Sequence, residues 1–77
     1  MAISDKVKAL LKLKGKTNTD LAGYLDISVQ ALSNKFYRDS YSGEDLIKIA
    51  SFLGCDLAFI VNETTKISLE NSDIKPK

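Results

Sequence analysis

The stretch NTDLAGYLDISVQALSNKF constrains the fold of this chain more than any other. It follows Thr17, which has Asp20 three residues later, the spacing of a capping box with Asp in place of the usual Glu. Apolar residues then recur at helical spacing, which predicts a helix over residues 18–25. After a tight turn, Ser28 is placed to cap a second helix over residues 29–36. We therefore expect two short helices joined by a turn.

The two predicted helices have apolar faces that can pack on each other. With Leu32 at the centre of the inner face of the second helix, Val29 and Phe36 fall within about 60° of it, because each residue turns the helix by about 100°. Such a pair predicts a helix-turn-helix, the arrangement that places its second helix in the major groove of DNA. The expected inward side chains are Leu21, Ala22, Leu25, Val29, Leu32 and Phe36.

The outer face of the second helix is polar and mostly uncharged. Gln30, Asn34 and Arg38 follow one another on this face at four-residue steps. Gln and Asn can form paired hydrogen bonds to the adenine edge, and Ala or Val can contact a thymine methyl group. The alternative is that Gln30 and Asn34 are only the solvent-facing residues of an amphipathic helix. The flanking side chains suited to phosphate oxygens are Ser33, Lys35, Tyr37 and Arg38.

Charge is distributed unevenly along the chain. The formal net charge is only +1, but residues 1–38 carry seven basic and three acidic side chains, whereas residues 39–77 carry four basic and seven acidic ones. The basic half contains the predicted helix pair, as expected if that half meets phosphate. The alternative is that charges on a small domain scatter unevenly without a functional reason.

Two further helices are predicted, one on each side of this pair. Ser4 can cap a helix over residues 5–14, which Gly15 would end. Ser42 can cap another helix over residues 43–53, with acids in its first turn where the helix dipole favours negative charge. The apolar residues of both helices recur at helical spacing, so we expect four helices around one core.

The pattern changes after the fourth predicted helix. A run rich in β-branched and aromatic residues, followed by a segment that alternates polar and apolar residues, predicts a β-hairpin over residues 56–62 and 66–70. A lone hairpin is marginal in water, so one face should pack on the helices, and a free edge could pair with a second copy of the protein. Residues 1–70 would form a single domain, and we expect the polar residues 71–77 to be disordered.

Composition argues against several classes of function. The chain has no histidine and a single cysteine, so it offers no Cys-His pair, no catalytic triad and no recognisable metal cluster. Its four glycines are too sparse for a phosphate loop. No apolar run is long enough for a membrane span, no signal peptide is recognisable at the start, and Cys55 cannot form an internal disulfide. We therefore expect a cytoplasmic protein that is not an enzyme and needs no cofactor.

Residues 1–54 resemble the small DNA-binding domains of the phage repressor and Cro type, often called the Xre family. The resemblance rests on Thr17-Asn18-x-Asp20-Leu21-Ala22, on Ile27-Ser28, on Leu32-Ser33 and on Leu46-x-x-Ile49-Ala50-x-x-Leu53-Gly54. It implies a mainly α, four-helix, lambda-repressor-like domain, here with a C-terminal β-strand or β-hairpin. It also implies a transcriptional regulator, which we expect to be a repressor, that binds a palindromic operator in double-stranded DNA as a homodimer.

Two features depart from the pattern of this family. The turn residue that is usually glycine is here Asp26, among the better non-glycine residues in a left-handed conformation. We expect that conformation to cost on the order of 1 kcal/mol. The last hydrophobic anchor of the second helix, Phe36, comes one residue later than usual, which leaves open where that helix ends.

The resemblance also implies roles for particular residues. Cro-like members dimerise through a C-terminal strand, which makes Phe59, Val61, Ile67 and Leu69 the expected dimerisation residues. The alternative function is a protein-interaction module, in which the same fold binds a partner protein as an antitoxin does. The residues expected at bases are Ser28, Val29, Gln30 and Asn34, and Thr17 and Asn18 join the four flanking residues expected at phosphates.

Overall fold

The computed structural model describes residues 2–74. Within them four α-helices are followed by an antiparallel β-hairpin and a short 3-10 helix. The elements are α1 (Ile3–Leu13), α2 (Asn18–Leu25), α3 (Val29–Arg38), α4 (Gly43–Leu53), β1 (Leu57–Ile60), β2 (Lys66–Leu69) and the 3-10 helix Asn71–Asp73. This architecture confirms the predicted fold class.

Local caps set where three of the helices begin. At α2, the Asp20 N–H donates to Thr17 Oγ1 and the Thr17 N–H donates to Asp20 Oδ2, each over 3.1 Å, so the predicted capping box is formed. The same arrangement caps α4. At α3, the Ala31 N–H donates to Ser28 Oγ over 3.0 Å. Each cap provides an acceptor for N–H groups that have no partner inside the helix.

The first helix does not begin where the local pattern predicts. It spans Ile3–Leu13 rather than residues 5–14, its N-cap position is Ala2, and Ser4 is buried in its first turn instead of capping it. The N–H groups of Ile3 and Ser4 donate to the carboxylate of Asp39. The predicted start is wrong because a distant residue supplies the cap, and a local sequence pattern does not record such a residue.

Two aspartates adopt the left-handed backbone conformation. Asp26 has a φ of 59° in the turn between α2 and α3, as its position in the sequence predicts. Asp39 has a φ of 53° directly after α3, and this was not predicted. Short polar side chains tolerate this conformation because they can hydrogen-bond nearby. The third helix consequently runs to Arg38, beyond its predicted end at residue 36.

A single hydrophobic core lies among the four helices. Of the residues expected to face inward, Leu25 is half-buried and Val29 is 45% exposed. The inward placement of Val29 is therefore wrong, because burial along α3 begins only at Leu32, and none of the residues before it in the helix is buried. The buried cluster consists of Val7, Leu11, Leu21, Ala22, Leu32, Phe36, Ile49 and Leu53.

The hairpin is covered by the helices only at its base. It is shorter than predicted, and its register pairs Leu57 with Leu69 and Phe59 with Ile67. These four side chains share one face of the ribbon. Residues paired across the two strands point to the same face, and so do residues two positions apart on one strand. Leu57 and Leu69 are half-buried, whereas Phe59 is 65% exposed and Ile67 is 61% exposed.

The segment after the hairpin is partly ordered. The expected disordered tail began at residue 71, but Asn71–Asp73 forms a 3-10 helix, so this expectation is wrong for these residues. Asn71 Nδ2 donates to Ser51 Oγ of α4 over 3.0 Å, a contact between distant residues that the polar composition of the tail could not indicate. Residues 75–77 lie outside the described residues.

Candidate nucleic-acid interface

The outer face of α3 presents two amide side chains next to each other. Gln30 and Asn34 are exposed, and Gln30 Nε2 donates to Asn34 Oδ1 over 3.4 Å. Each amide retains further hydrogen-bonding groups, since an amide has two N–H donors and an oxygen with two lone pairs. Adjacent donors and acceptors of this kind match the edge that adenine presents in the major groove.

The exposed first turn of α3 adds a hydroxyl and an apolar side chain. Ser28 Oγ accepts the Ala31 N–H, which leaves the hydroxyl hydrogen free to donate outward. Val29 is exposed beside it, where its methyl groups can meet a thymine methyl. The first N–H groups of the helix have no partner within it, and they lie at the positive end of the helix dipole. All four residues expected at bases are therefore exposed.

The last turn of α3 carries exposed groups suited to a phosphate backbone. Tyr37 is 91% exposed and Arg38 is exposed as well, and Ser33, which precedes the last turn, is also exposed. Arg38 and Asn34 border the same shallow groove beside the helix. The residues lining this groove are Ala31, Asn34, Lys35, Arg38 and Ser40.

Lys35 is placed differently from the other flanking residues. Its Nζ lies 3.0 Å from Asp45 Oδ2, at the start of α4, and both side chains are mostly buried. Burial by itself raises the pKa of Asp45, but hydrogen bonds from the Ser42 N–H and from Lys35 outweigh it and hold that pKa below its ordinary value. The ammonium group thus ties α3 to α4 in the free protein. Sequence reasoning missed this pair because it assigned Asp45 only to capping.

The start of α2 contributes one available polar side chain. The Thr17 side chain is occupied in the capping box with Asp20. The Thr17 hydrogen bonds, the backbone one first, hold the pKa of the Asp20 carboxyl below its ordinary value, so a negative charge already lies at this helix end. Asn18, at the first position of the helix, is exposed and remains free to donate to a phosphate.

The residues expected to form a dimer divide into two groups. Phe59, Val61 and Ile67 are between 61% and 65% exposed, and together they form an apolar surface at the far end of the hairpin. Leu69 is half-buried and lines a cleft against Ile47 of α4. The structure therefore brings three of the four together on a free surface and uses the fourth to attach the hairpin.

Residues 2–74 contain neither a helix that could span a membrane nor a cluster of side chains that could bind a metal ion. No helix in this part of the chain combines the length and the apolar character that crossing a membrane requires. The same residues hold no group of three or more His, Cys, Asp or Glu side chains that could bind a metal ion.

Comparison with known proteins agrees with the geometry of α2 and α3. A protein-family model described as helix-turn-helix matches residues 7–60, which is more than half of the chain. No curated protein and no solved structure gives a significant match. The matched segment contains both helices of the motif, the turn at Asp26 and the outer face of α3. The chain belongs to the helix-turn-helix family of the Cro/C1 type and is a DNA-binding transcriptional regulator.

Proposed function

We propose that the chain is a repressor that binds double-stranded DNA sequence-specifically, with α3 in the major groove. One observation carries this proposal: the adjacent amides of Gln30 and Asn34 lie on the exposed face of a helix whose buried side chains are on its other side. Polar side chains aligned along an exposed helix face match the way a recognition helix reads base edges.

Each exposed residue of this surface has a distinct proposed role. Gln30 and Asn34 read base edges, and Ser28 and Val29 contact bases at the start of the helix. Arg38 holds a phosphate at the other end, with Tyr37 next to it and Ser33 earlier in the helix, and Asn18 holds a phosphate from the start of α2. Phosphate contacts fix the register of the helix on the duplex, and base contacts supply the specificity.

Binding to duplexes selected from a random library tests these roles. Gln30→Ala should lower the preference for a selected duplex over a scrambled one by about 1–3 kcal/mol, the value of one good paired contact. Arg38→Ala should weaken both duplexes alike and reduce the slope of log affinity against log salt by about 0.9. Lys48→Ala, which removes an equal charge from α4, is the matched control and should change neither quantity.

Two outcomes would contradict the proposal. Binding that stays absent at low salt, on selected and random duplexes alike, would favour the alternative of a protein-interaction module. An equal loss on both duplexes for Gln30→Ala would remove its role at a base, and a larger loss on the selected duplex for Arg38→Ala would remove its role at a phosphate.

Repression itself is measured with a reporter gene downstream of the selected site. Expression of the reporter should fall with the wild-type protein and recover with Gln30→Ala.

We also propose that the protein binds a palindromic operator as a homodimer through its hairpin. The support is the exposed apolar surface of Phe59, Val61 and Ile67, since apolar patches of this kind on small domains commonly mark interfaces. Phe59→Ser should shift the mass in solution towards the monomer and weaken operator binding. Ile60→Ser is the control, because Ile60 is 80% exposed but lies on the opposite face of the ribbon. A wild-type mass that stays monomeric at all concentrations, with and without DNA, would refute dimerisation.

A further inference from the structure

Asp39 connects the end of the proposed recognition helix to the start of α1. Its carboxylate accepts the N–H of Ile3 over 3.2 Å and the N–H of Ser4 over 2.6 Å. The N-cap residue of α1, Ala2, makes no side-chain cap of its own. A carboxylate is also favoured at this position by the dipole of α1. A residue that ends α3 therefore caps a helix that begins 36 residues earlier in the chain.

The hydroxyl of Ser4 extends this connection into the core. Ser4 is buried, and its Oγ lies 2.8 Å from Asp39 Oδ1, 2.8 Å from the Phe36 carbonyl oxygen and 2.6 Å from the Tyr41 hydroxyl. Ser4 has one hydrogen to donate, and the carboxylate and the carbonyl can only accept. The Tyr41 hydroxyl therefore donates to Ser4 when Ser4 donates to either of them.

Ser4, Asp39 and Tyr41 form a hydrogen-bonded cluster, called here the Asp39 cluster. At neutral pH its two titratable members keep the protonation states that these hydrogen bonds require, an ionised Asp39 and a neutral Tyr41. Hydrogen bonds from the backbone and the side chain of Ser4 hold the pKa of Asp39 below its ordinary value, so its carboxylate stays charged. Burial raises the pKa of Tyr41, so its phenol stays neutral and can donate.

The buried side chains of α3 lie along one line of the helix. All residues of α3 are described, and Leu32 and Phe36, one turn apart, are its buried ones. A helix held along one line of side chains can rotate about that line, and such a rotation displaces the outer face. The Lys35–Asp45 ion pair and the Asp39 cluster attach the second half of α3 at two further points.

We infer that Asp39 is a positioning residue for DNA recognition, because through Ser4 it holds α3 in the orientation that presents Gln30 and Asn34 to the bases. This inference rests on the proposed function of α3. The backbone supports a role for the side chain itself. Asp39 has a left-handed conformation that glycine adopts without steric cost, so the conformation alone gives no reason for an aspartate here.

Asp26 provides a matched control within the same chain. It also follows a helix, has a φ of 59° and carries one negative charge. In contrast to Asp39, its carboxylate is in no hydrogen bond or ion pair between residues 2 and 74. The test compares variants in which either Asp26 or Asp39 is replaced by Asn or by Gly. Asn tolerates the left-handed conformation and keeps one acceptor oxygen, whereas Gly removes the side chain, and both remove the charge.

The measured quantity is the ratio of the dissociation constants for a scrambled and a selected duplex. Asp39→Gly should lower this ratio roughly tenfold, about the effect of losing one base contact, and Asp39→Asn should have a smaller effect. Both Asp26 variants should keep the wild-type ratio. Circular dichroism at the assay temperature shows which variants are folded. Equal ratios for folded Asp39→Gly and Asp26→Gly would overturn the inference.

Amide hydrogen exchange tests the positioning role without DNA. Asp39→Asn should accelerate exchange in the last turn of α3 and in the first turn of α1, while α2 keeps its wild-type protection. Uniform acceleration in all helices would instead show a loss of global stability and would contradict a positioning role. If the wild-type protein prefers no duplex, the proposed function fails, and the exchange pattern still decides whether Asp39 restrains α3.

Discussion

Replacing Ser4 with alanine should destabilise the fold by removing one buried hydroxyl. The side chain has three polar neighbours, and the size of the effect depends on which of them keep another partner. The Phe36 carbonyl still accepts the Asp39 N–H, and Asp39 Oδ1 still accepts the Ser4 N–H. Tyr41, which is half-buried, loses the one hydrogen bond that its hydroxyl makes within residues 2–74.

Ser4→Ala removes the hydrogen bond that Ser4 donates and leaves the Tyr41 hydroxyl without this partner, so the expected loss is about 2 kcal/mol of the free energy of unfolding. In a domain of this size that loss lowers Tm by roughly 8–16 °C. Tyr41→Phe, which keeps the ring and removes its hydroxyl, should cost about 1 kcal/mol. The double variant should lose less than the sum of the two, because both changes remove the same hydrogen bond.

Thermal and urea unfolding followed by circular dichroism measure these differences. Ser33→Ala is the control, since Ser33 is also a helical serine but is exposed, and it should change stability by less than about 0.5 kcal/mol. A Ser4→Ala variant as stable as Ser33→Ala would refute the role given to the buried hydroxyl. Additive losses in the double variant would show that Ser4 and Tyr41 do not share a hydrogen bond.

Two further predictions concern acidic side chains. Hydrogen bonds lower the pKa of Asp20, Asp39 and Asp45 from the ordinary value of 3.8, so the unfolded chain binds these protons more readily than the folded one. Their stabilising contribution should be complete above about pH 5 and fall with pH below it, and a Tm that is flat from pH 6 to pH 3 would contradict this. Asp45→Asn should free Lys35 for a phosphate, tighten binding to scrambled duplexes and steepen the salt dependence by about 0.9. Glu44→Gln removes the same charge from α4, and an equal effect of both variants would show that the release of Lys35 is not involved.

Much of the fold could be predicted because its signals are local. A capping box joins residues three positions apart, so the starts of α2 and α4 are visible in the sequence. The left-handed conformation of Asp26 was predictable for the same reason, since it belongs to a turn of a few residues. The polar outer face of α3 was also predictable, because helical periodicity places Gln30 and Asn34 on one side of the helix.

The wrong predictions for Val29, Ser4 and Lys35 have a common physical cause. Helical periodicity indicates which way a side chain points around its helix, but not how much of the helix its neighbours cover. Periodicity therefore predicts Val29 in the core, although this side chain is 45% exposed. Ser4 and Lys35 were assigned from their own segments, and both have their main partners in another element.

Local residue patterns were enough to predict the four helices, the turn at Asp26, the polar outer face of α3 and the apolar hairpin, because each depends on residues within a few positions of one another. The attachment of α3 to the other helices, in contrast, depends on contacts between residues that are distant in the chain. Asp39 caps α1 from 36 residues away, and Lys35 reaches Asp45 on the next helix. Such contacts form only after the helices have packed, because packing is what brings residues from separate elements within hydrogen-bond distance. The residues on the exposed outer face of α3 were therefore visible in the sequence, and the packed core sets the orientation of this face.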